Sequence, residues 1–172
     1  MTFIARLRPP YNRLLRVLNS LQSPFLLFIR LYWGIQFFQA GWGKIQDISK
    51  PIDFFIQLGI PFPVFNAWFV SLLECGGGIL LCLGLASRLI SIPLVIDMVV
   101  AYITADRDAL KSFFSSPDKF TGAAPYNFLI ISLMIMVFGP GAISLDYLIA
   151  RYLDRRSSAS AAAAGSTLSR KP

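Results

Sequence analysis

The stretch VFNAWFVSLLECGGGILLCLGLASRLISIPLVIDMVVAYITA, residues 64–105, decides the fold. It holds two apolar runs, Val64–Leu85 and Leu89–Ala105, joined by Gly84-Leu85-Ala86-Ser87-Arg88. A helix rises about 1.5 Å per residue, and crossing the hydrocarbon core of a bilayer takes about 20 residues. The first run meets that length and the second comes near it. The short, glycine-led connection reads as a tight helical hairpin. Alternating apolar and polar segments of about ten residues are absent, so a membrane β-barrel is excluded.

Two further apolar runs flank this hairpin. One spans Pro24 to Lys44. The other spans Tyr126 to Phe138 and is short unless it begins a turn or two before Pro125. The expected fold is an all-α membrane protein: an antiparallel four-helix transmembrane bundle with flanking interfacial helices. Composition agrees. Of 172 residues, 55% are hydrophobic and only 15% charged, against about 25% charged in an average soluble domain. Mean hydropathy is +0.61. These values exclude a disordered chain and argue against a soluble globular one. No period of 20 to 50 residues repeats, which excludes solenoids and propellers.

The chain divides into four parts. Residues 1–23 form a cytoplasmic amphipathic segment in which Leu14, Leu15, Leu18 and Leu21 recur at helical spacing beside Arg13 and Arg16. A signal peptide is the poorer reading, because the apolar run after the basic residues is too long, is interrupted by Arg30 and lacks a small-residue cleavage site. Residues 24–142 form the transmembrane domain. Gly139-Pro140-Gly141 must end its last helix. Ser144 can cap a new helix over 143–156, whose stripe of Leu145, Leu148, Ile149, Tyr152 and Leu153 suits the membrane interface. Residues 157–172, rich in serine, alanine and glycine, read as a disordered basic tail. The net charge of +7 fits membrane orientation better than nucleic-acid binding. Ten Lys and Arg fall on the side of both termini and Arg88. Four, namely Lys50, Arg107, Lys111 and Lys119, fall opposite, where aspartates balance them. Both termini are therefore expected in the cytoplasm, with the chain multi-pass in a bacterial inner membrane and in contact with the lipid bilayer.

Ionisable groups cost about 2.5–3.5 kcal/mol each within a membrane on insertion scales, so they are the functional candidates. Arg30 lies about 9 Å into the first run, Glu74 about 15 Å into the second and Asp97 about 13 Å into the third. These depths predict that Arg30 pairs with Glu74, and with Asp97 nearby. One cation for two carboxylates leaves a surplus negative charge, so a proton is expected to be shared there. Such a centre either fixes helix register or holds a ligand head group. On the first helix, Arg30, Gly34, Phe37, Gly41 and Lys44 share a face, and Gln36, Gln39 and Trp42 add donors. Gly76-Gly77-Gly78 weaken the second helix by about 1 kcal/mol each, which close helix packing, or a ligand pressed on the backbone, would offset. Cys75 and Cys82, two turns apart, cannot bridge within one helix and read as small apolar filler. The absence of histidine removes His-ligated haem, His-containing zinc sites and Ser-His or Cys-His nucleophiles. No CxxC, phosphate-loop or dinucleotide fingerprint occurs. No metal site is expected, and a self-sufficient enzyme is disfavoured.

Taken in order, Arg30, Gln39-Ala40-Gly41-Trp42-Gly43-Lys44, Leu58-Gly59-Ile60-Pro61, Glu74-Cys75-Gly76-Gly77, Leu83-Gly84-Leu85 with Arg88, and Gly139-Pro140-Gly141-Ala142-Ile143-Ser144-Leu145-Asp146 resemble the DoxX family of small four-helix bacterial membrane proteins. The resemblance covers about Phe25 to Tyr152. Arg30, Lys44, Glu74 and Arg88 match recurring family positions, whereas Asp97 and the alanine-rich tail are less typical. The resemblance implies a membrane subunit supporting a quinone- or sulfur-linked redox complex, with a soluble or membrane redox partner protein. No covalent cofactor is implied, and a quinone is the implied ligand. Arg30, Gln36, Gln39 and Trp42 offer donors to its carbonyls. A cavity opening toward the outer half of the bundle and lined by Gln39, Trp42, Lys44 and Glu74 is expected, able to admit a quinone head group or a small anionic sulfur compound, and Asp97 is a further ligand-binding candidate. The alternatives are a non-catalytic adaptor or small-ligand-binding protein, and a Lys44 that only snorkels to lipid phosphates.

Overall fold

The computed structural model describes the backbone of residues 2–168 and the side chains of residues 13–157. The described residues are helical, without strands: α1 (Thr2–Gln46), α2 (Ser49–Gln57), α3 (Pro63–Leu83), α4 (Ser87–Thr104), α5 (Arg107–Lys111), α6 (Pro117–Thr121), α7 (Pro125–Phe138) and α8 (Leu145–Leu168). Residues 13–46 of α1, together with α3 and α4, are long and apolar enough to cross a membrane. The fourth apolar run is α7, which starts at Pro125 and has 14 residues, about 21 Å at helical rise. Proline in the first turn opens α3, α6 and α7, where its missing N–H has no intrahelical partner to lose. Hence α7 cannot borrow length from the preceding loop.

Two boundaries differ from the sequence expectation. No break separates an interfacial segment from the first spanning helix. α1 runs through Pro24, and the carbonyl that Pro24 leaves unpaired belongs to Ser20, which is exposed and open to water. At the other end, α8 keeps helical backbone to Leu168, where disorder was expected from Ser157. The run Ala161–Ala164 is the strongest helix-forming composition available. The expected basic tail over residues 169–172 lies outside the described residues.

α1 packs along α3, and α4 packs along α7 and the end of α3. The α1–α3 contact is antiparallel and depends on glycine. A Cβ added to Gly34 would stand 2.6 Å from Cys82 Sγ and 2.9 Å from Gly78 O. One added to Gly41 would stand 2.6 Å from Ser71 O, and one added to Gly78 would stand 2.5 Å from both Gly34 O and Phe38 N. The backbones therefore touch directly, as small residues permit inside membranes. Gly77 meets Leu94 of α4 instead, and Gly76 meets nothing within 4 Å. Two of the three consecutive glycines thus serve close packing, as expected.

The interior joins aliphatic and aromatic side chains to small hydroxyls. Phe37, Leu81, Leu94 and Ile135 are fully buried, and Phe128 of α7 packs edge-on against Trp33 and Phe37. Ser71, Ser87, Ser91 and Ser132 are also fully buried. Ser71 and Ser91 each donate to a backbone oxygen one turn earlier, at 2.6 and 2.7 Å. Large apolar residues such as Phe69, Leu72, Ile79 and Ile96 face outward. That inversion is the signature of a protein whose solvent is lipid.

The α3–α4 hairpin forms as expected. Gly84, at φ +68°, ends α3 in a Schellman turn: Gly84 N donates to Leu81 O and Leu85 N to Leu80 O. Ala86 follows with φ +48°, a conformation costing about 1 kcal/mol in a residue with a Cβ. Asp146, from the start of α8, holds it there. Its carboxylate accepts Ala86 N at 2.7 Å and Ser87 N at 2.9 Å, capping α4 from a distance. Ser144 caps α8 itself through Tyr147 N, at 3.2 Å. Gly139 and Gly141, both with positive φ, turn the chain between α7 and α8.

The glycine contact is tested by paired substitutions in detergent-purified protein. Gly78→Ala should lower stability by about 1–3 kcal/mol through overpacking. Gly76→Ala, one residue away but facing open space, should be neutral or stabilising by up to about 1 kcal/mol. Thermal unfolding of the two variants reads the difference.

Candidate functional site

A cavity of about 630 Å³ lies at the end of the bundle that carries the α1–α2 and α4–α7 connections. Val70, Met98 and Phe128 line it from α3, α4 and α7, and Phe54, Phe55 and Leu58 line it from α2 and the residue that follows. α2 reaches the cavity because Pro51, Phe55 and Leu58 recur at helical spacing on one face. Three ionisable side chains sit within these apolar walls: Lys44 of α1, Glu74 of α3 and Asp97 of α4.

Lys44 Nζ and Glu74 Oε2 form an ion pair and hydrogen bond. Glu74 is only 6% exposed, whereas Lys44 keeps a third of its surface open. The lysine stem therefore lies along apolar surface while its ammonium reaches inward. The pair lies in the cavity wall. Asp97 Oδ2 is completely buried and has no hydrogen-bond partner among the described residues. Lys50 and Asp106 also line the cavity. Lys50 pairs with Asp47 at 2.9 Å. The Ser49 hydroxyl, and then Lys50, hold the Asp47 carboxyl below its usual range.

The predicted bridge from Arg30 to Glu74 does not form. Arg30 is fully buried at the opposite end of the bundle, against Gly84 and Ser144. Its Nη2 donates to Ile143 O at 2.5 Å, while Nε and Nη1 have no partner among the described residues. Asp146 supplies the opposing charge there. The reason is register. The antiparallel contact sets Gly34 beside Gly78 and Cys82, and Gly41 beside Ser71 and Cys75. Moving toward the N-terminus of α1 therefore means moving toward the C-terminus of α3. Arg30 must meet Gly84, and Glu74 must meet the stretch just before Lys44. Depth along each helix was a sound measure, but it does not say which residues face each other.

The structure brings together Lys44, Glu74 and Asp97 and leaves out the other candidates. Gln39 and Trp42 are exposed and Gln36 half-buried, and none of them lines the cavity. Ala40 does, and Gln39 and Trp42 are turned from it by about 100° and 200° around the helix. Trp42 instead stacks on Phe38, with ring centroids 6.1 Å apart. Arg88 packs over Gly139 and donates to Val137 O at 3.3 Å. Cys75 and Cys82 are both free, with Cys82 Sγ directed at the Arg30 and Leu31 carbonyls. The sequence reading missed the α2 lining and the capping role of Asp146. The α2 lining was visible as an apolar face. The role of Asp146 depends on a contact across 60 residues.

A double-mutant cycle measures the ion pair. Lys44→Gln alone should cost about 3 kcal/mol, the low end for a buried pair, because Lys44 retains some exposure while the variant strands Glu74. The double variant Lys44→Gln/Glu74→Gln should cost clearly less than the sum of the two single changes. Chemical or thermal unfolding in detergent reads all four proteins.

The DoxX family model matches residues 25–107, a range containing Arg30, Lys44, Glu74 and Arg88. The chain is 30% identical over 122 residues to the Bacillus subtilis protein named "Putative oxidoreductase CatD", covering 70% of this chain and 83% of that one. It is 32% identical over 154 residues to the uncharacterized membrane protein Rv3486 of Mycobacterium tuberculosis, covering 84% and 90%. It is 30% identical over 138 residues to the inner membrane protein YqjF of Escherichia coli, covering 77% and 97%. No solved structure matches significantly. The matches run through both ends of the bundle, and on them the chain is a member of the DoxX family.

Proposed function

We propose that this protein is the membrane subunit of a quinone-linked redox complex, and that the cavity beside Lys44 and Glu74 receives the quinone head group. In this reading α1, α3, α4 and α7 form an antiparallel four-helix bundle in the bacterial inner membrane, with both termini cytoplasmic and the cavity toward the outer side. The single observation that carries it is the composition of the cavity: aromatic and aliphatic walls around one charge pair and one unpartnered carboxyl group. A flat, apolar ring with two carbonyl oxygens calls for this combination, in which an apolar slot supplies affinity and a few polar groups fix orientation. The names borne by the Bacillus subtilis and Escherichia coli relatives, an oxidoreductase and an inner membrane protein, support the redox and membrane parts.

The residues divide the work. Lys44 offers a charge-assisted hydrogen bond to a carbonyl oxygen. Glu74 holds the ammonium in place and balances its charge, so that a neutral ligand meets no net field from the pair. Phe54, Phe55 and Phe128 supply ring-shaped apolar surface in the cavity wall. A bound quinone would supply the capacity to accept electrons. The redox partner would supply the electrons.

Titration of purified protein in nanodiscs with a short-chain benzoquinone tests the site, followed by quenching of the intrinsic tryptophan fluorescence. Saturable quenching is expected, with Lys44→Gln and Glu74→Gln each weakening it at least about tenfold, or about 1.4 kcal/mol. Quenching that rises without saturation, as simple partition into lipid would give, would remove the reading. Topology is tested separately with single added cysteines. An impermeant maleimide should label Ser115→Cys but not Ser157→Cys in cells with a permeabilised outer membrane. The opposite pattern would invert the orientation.

A further inference from the structure

Asp97 is the one member of the cavity's ionisable group that the ion pair does not satisfy. Its Oδ2 is completely buried and accepts nothing from the described residues. The charged groups facing the same space are Lys44 from α1, Lys50 from α2, Glu74 from α3 and Asp106 just beyond the end of α4. α7 lines the cavity with Pro125 and Phe128, neither of which carries a charge. Lys44 is engaged by Glu74, and Lys50 by Asp47. Neither cation is therefore free to neutralise Asp97, and its closest ionised neighbour in character is the second carboxylate, Glu74.

An ionised carboxylate in such surroundings pays for desolvation without a compensating partner and is repelled by a like charge. A group so placed takes up a proton rather than remain charged. A protonated carboxyl has one O–H donor, which the ionised form lacks. Asp97 lines the cavity, and its Oδ2 has no hydrogen-bond partner among the described residues. Turning the carboxyl about its last side-chain bond presents the donor to a ligand there.

We propose that Asp97 is held as a neutral acid and is, beside Lys44, a second hydrogen-bond donor of the cavity toward uncharged, carbonyl-bearing ligands, which it selects over anions. The donor complements a carbonyl oxygen. An anion finds no unbalanced positive charge, because the one cation deep in the cavity is already paired. A sulfur oxyanion is therefore the wrong ligand for this space, and a neutral quinone-like molecule the right one. Ligand binding is then linked to one proton. It is full while Asp97 keeps the proton and is lost as the pH rises through the point of ionisation, because the donor disappears and a negative charge takes its place opposite the carbonyl oxygen. The ligand's identity rests on the quinone reading above, whereas the proton on Asp97 does not.

Two measurements on the full chain in nanodiscs separate these parts. Infrared difference spectroscopy without ligand should show a protonated-carboxyl C=O band at neutral pH that Asp97→Asn removes. In titrations with a short-chain benzoquinone, the affinity of the unaltered protein should fall about tenfold per pH unit above the pH at which that band vanishes, as one linked proton requires. Asp97→Asn, the same size and still a donor, should bind with the low-pH affinity at every pH. Asp97→Ala should bind at least about tenfold more weakly throughout, and thiosulfate should not compete. A purely structural role for Asp97 would not remove the pH dependence in the Asn variant while keeping its affinity. The proposal is overturned if the band is missing from the unaltered protein at neutral pH. It is equally overturned if Asp97→Asn binds as weakly as Asp97→Ala, or if thiosulfate displaces the quinone. A band that Asp97→Asn removes, in a protein that takes up no quinone, upholds the neutral acid and counts against the quinone reading alone.

Discussion

The contact of α1 with α3 through Gly34, Gly41 and Gly78 sets the geometry of the whole molecule. No side chain separates the two backbones at these points, so a shift of either helix would set a residue with a Cβ against the facing backbone. Inside a membrane this matters more than it would in water. The hydrophobic effect gives no preference for one apolar helix pairing over another, and close packing must supply the specificity. The register fixed by the glycines then decides which polar groups meet. Lys44 reaches Glu74 at one end, and Arg30 is driven against Gly84 at the other.

That register divides the buried polar groups into two clusters with different characters. At the α3–α4 turn, Arg30, Asp146, Ser144 and the main chain of residues 84–87 tie α1, the hairpin and the start of α8 together. The bonds at this end go chiefly to backbone, although Arg30 Nε and Nη1 have no partner among the described residues. At the other end Lys44 and Glu74 pair beside an open volume, with Asp97 left over. A carboxyl with an unpartnered oxygen, set in the wall of an apolar cavity, gives that end the polar group a ligand can be oriented by. The burial of Arg30 alone would have suggested the opposite assignment.

The membrane setting also accounts for the arrangement of serine and aliphatic residues. Ser71 and Ser91 turn their hydroxyls back to their own helices, so they pack as small residues with no polar cost. The large aliphatic side chains they displace from the interior face lipid. At Ser71, beside Gly41, this exchange of bulk for closeness leaves room for the α1–α3 approach.

The sequence by itself determined the helical class, the apolar runs, the hairpin at Gly84 and the end of α7 at Gly139-Pro140-Gly141. Each of these depends on local chemistry: run length, a glycine able to adopt positive φ, a proline without a donor. It also singled out Lys44, Glu74 and Asp97 as ionisable groups expensive to bury. Only the tertiary structure decided which of them meet. Arg30 and Glu74 have compatible depths, but depth is one coordinate, and pairing needs the rotation and register of both helices, which the glycine contacts fix. The same limit hid the cap that Asp146 places on α4, since nothing local to either residue marks a bond across 60 positions. It placed Gln39 and Trp42 in a cavity they do not line, because the direction of a side chain around α1 follows from where α2, α3 and α7 stand.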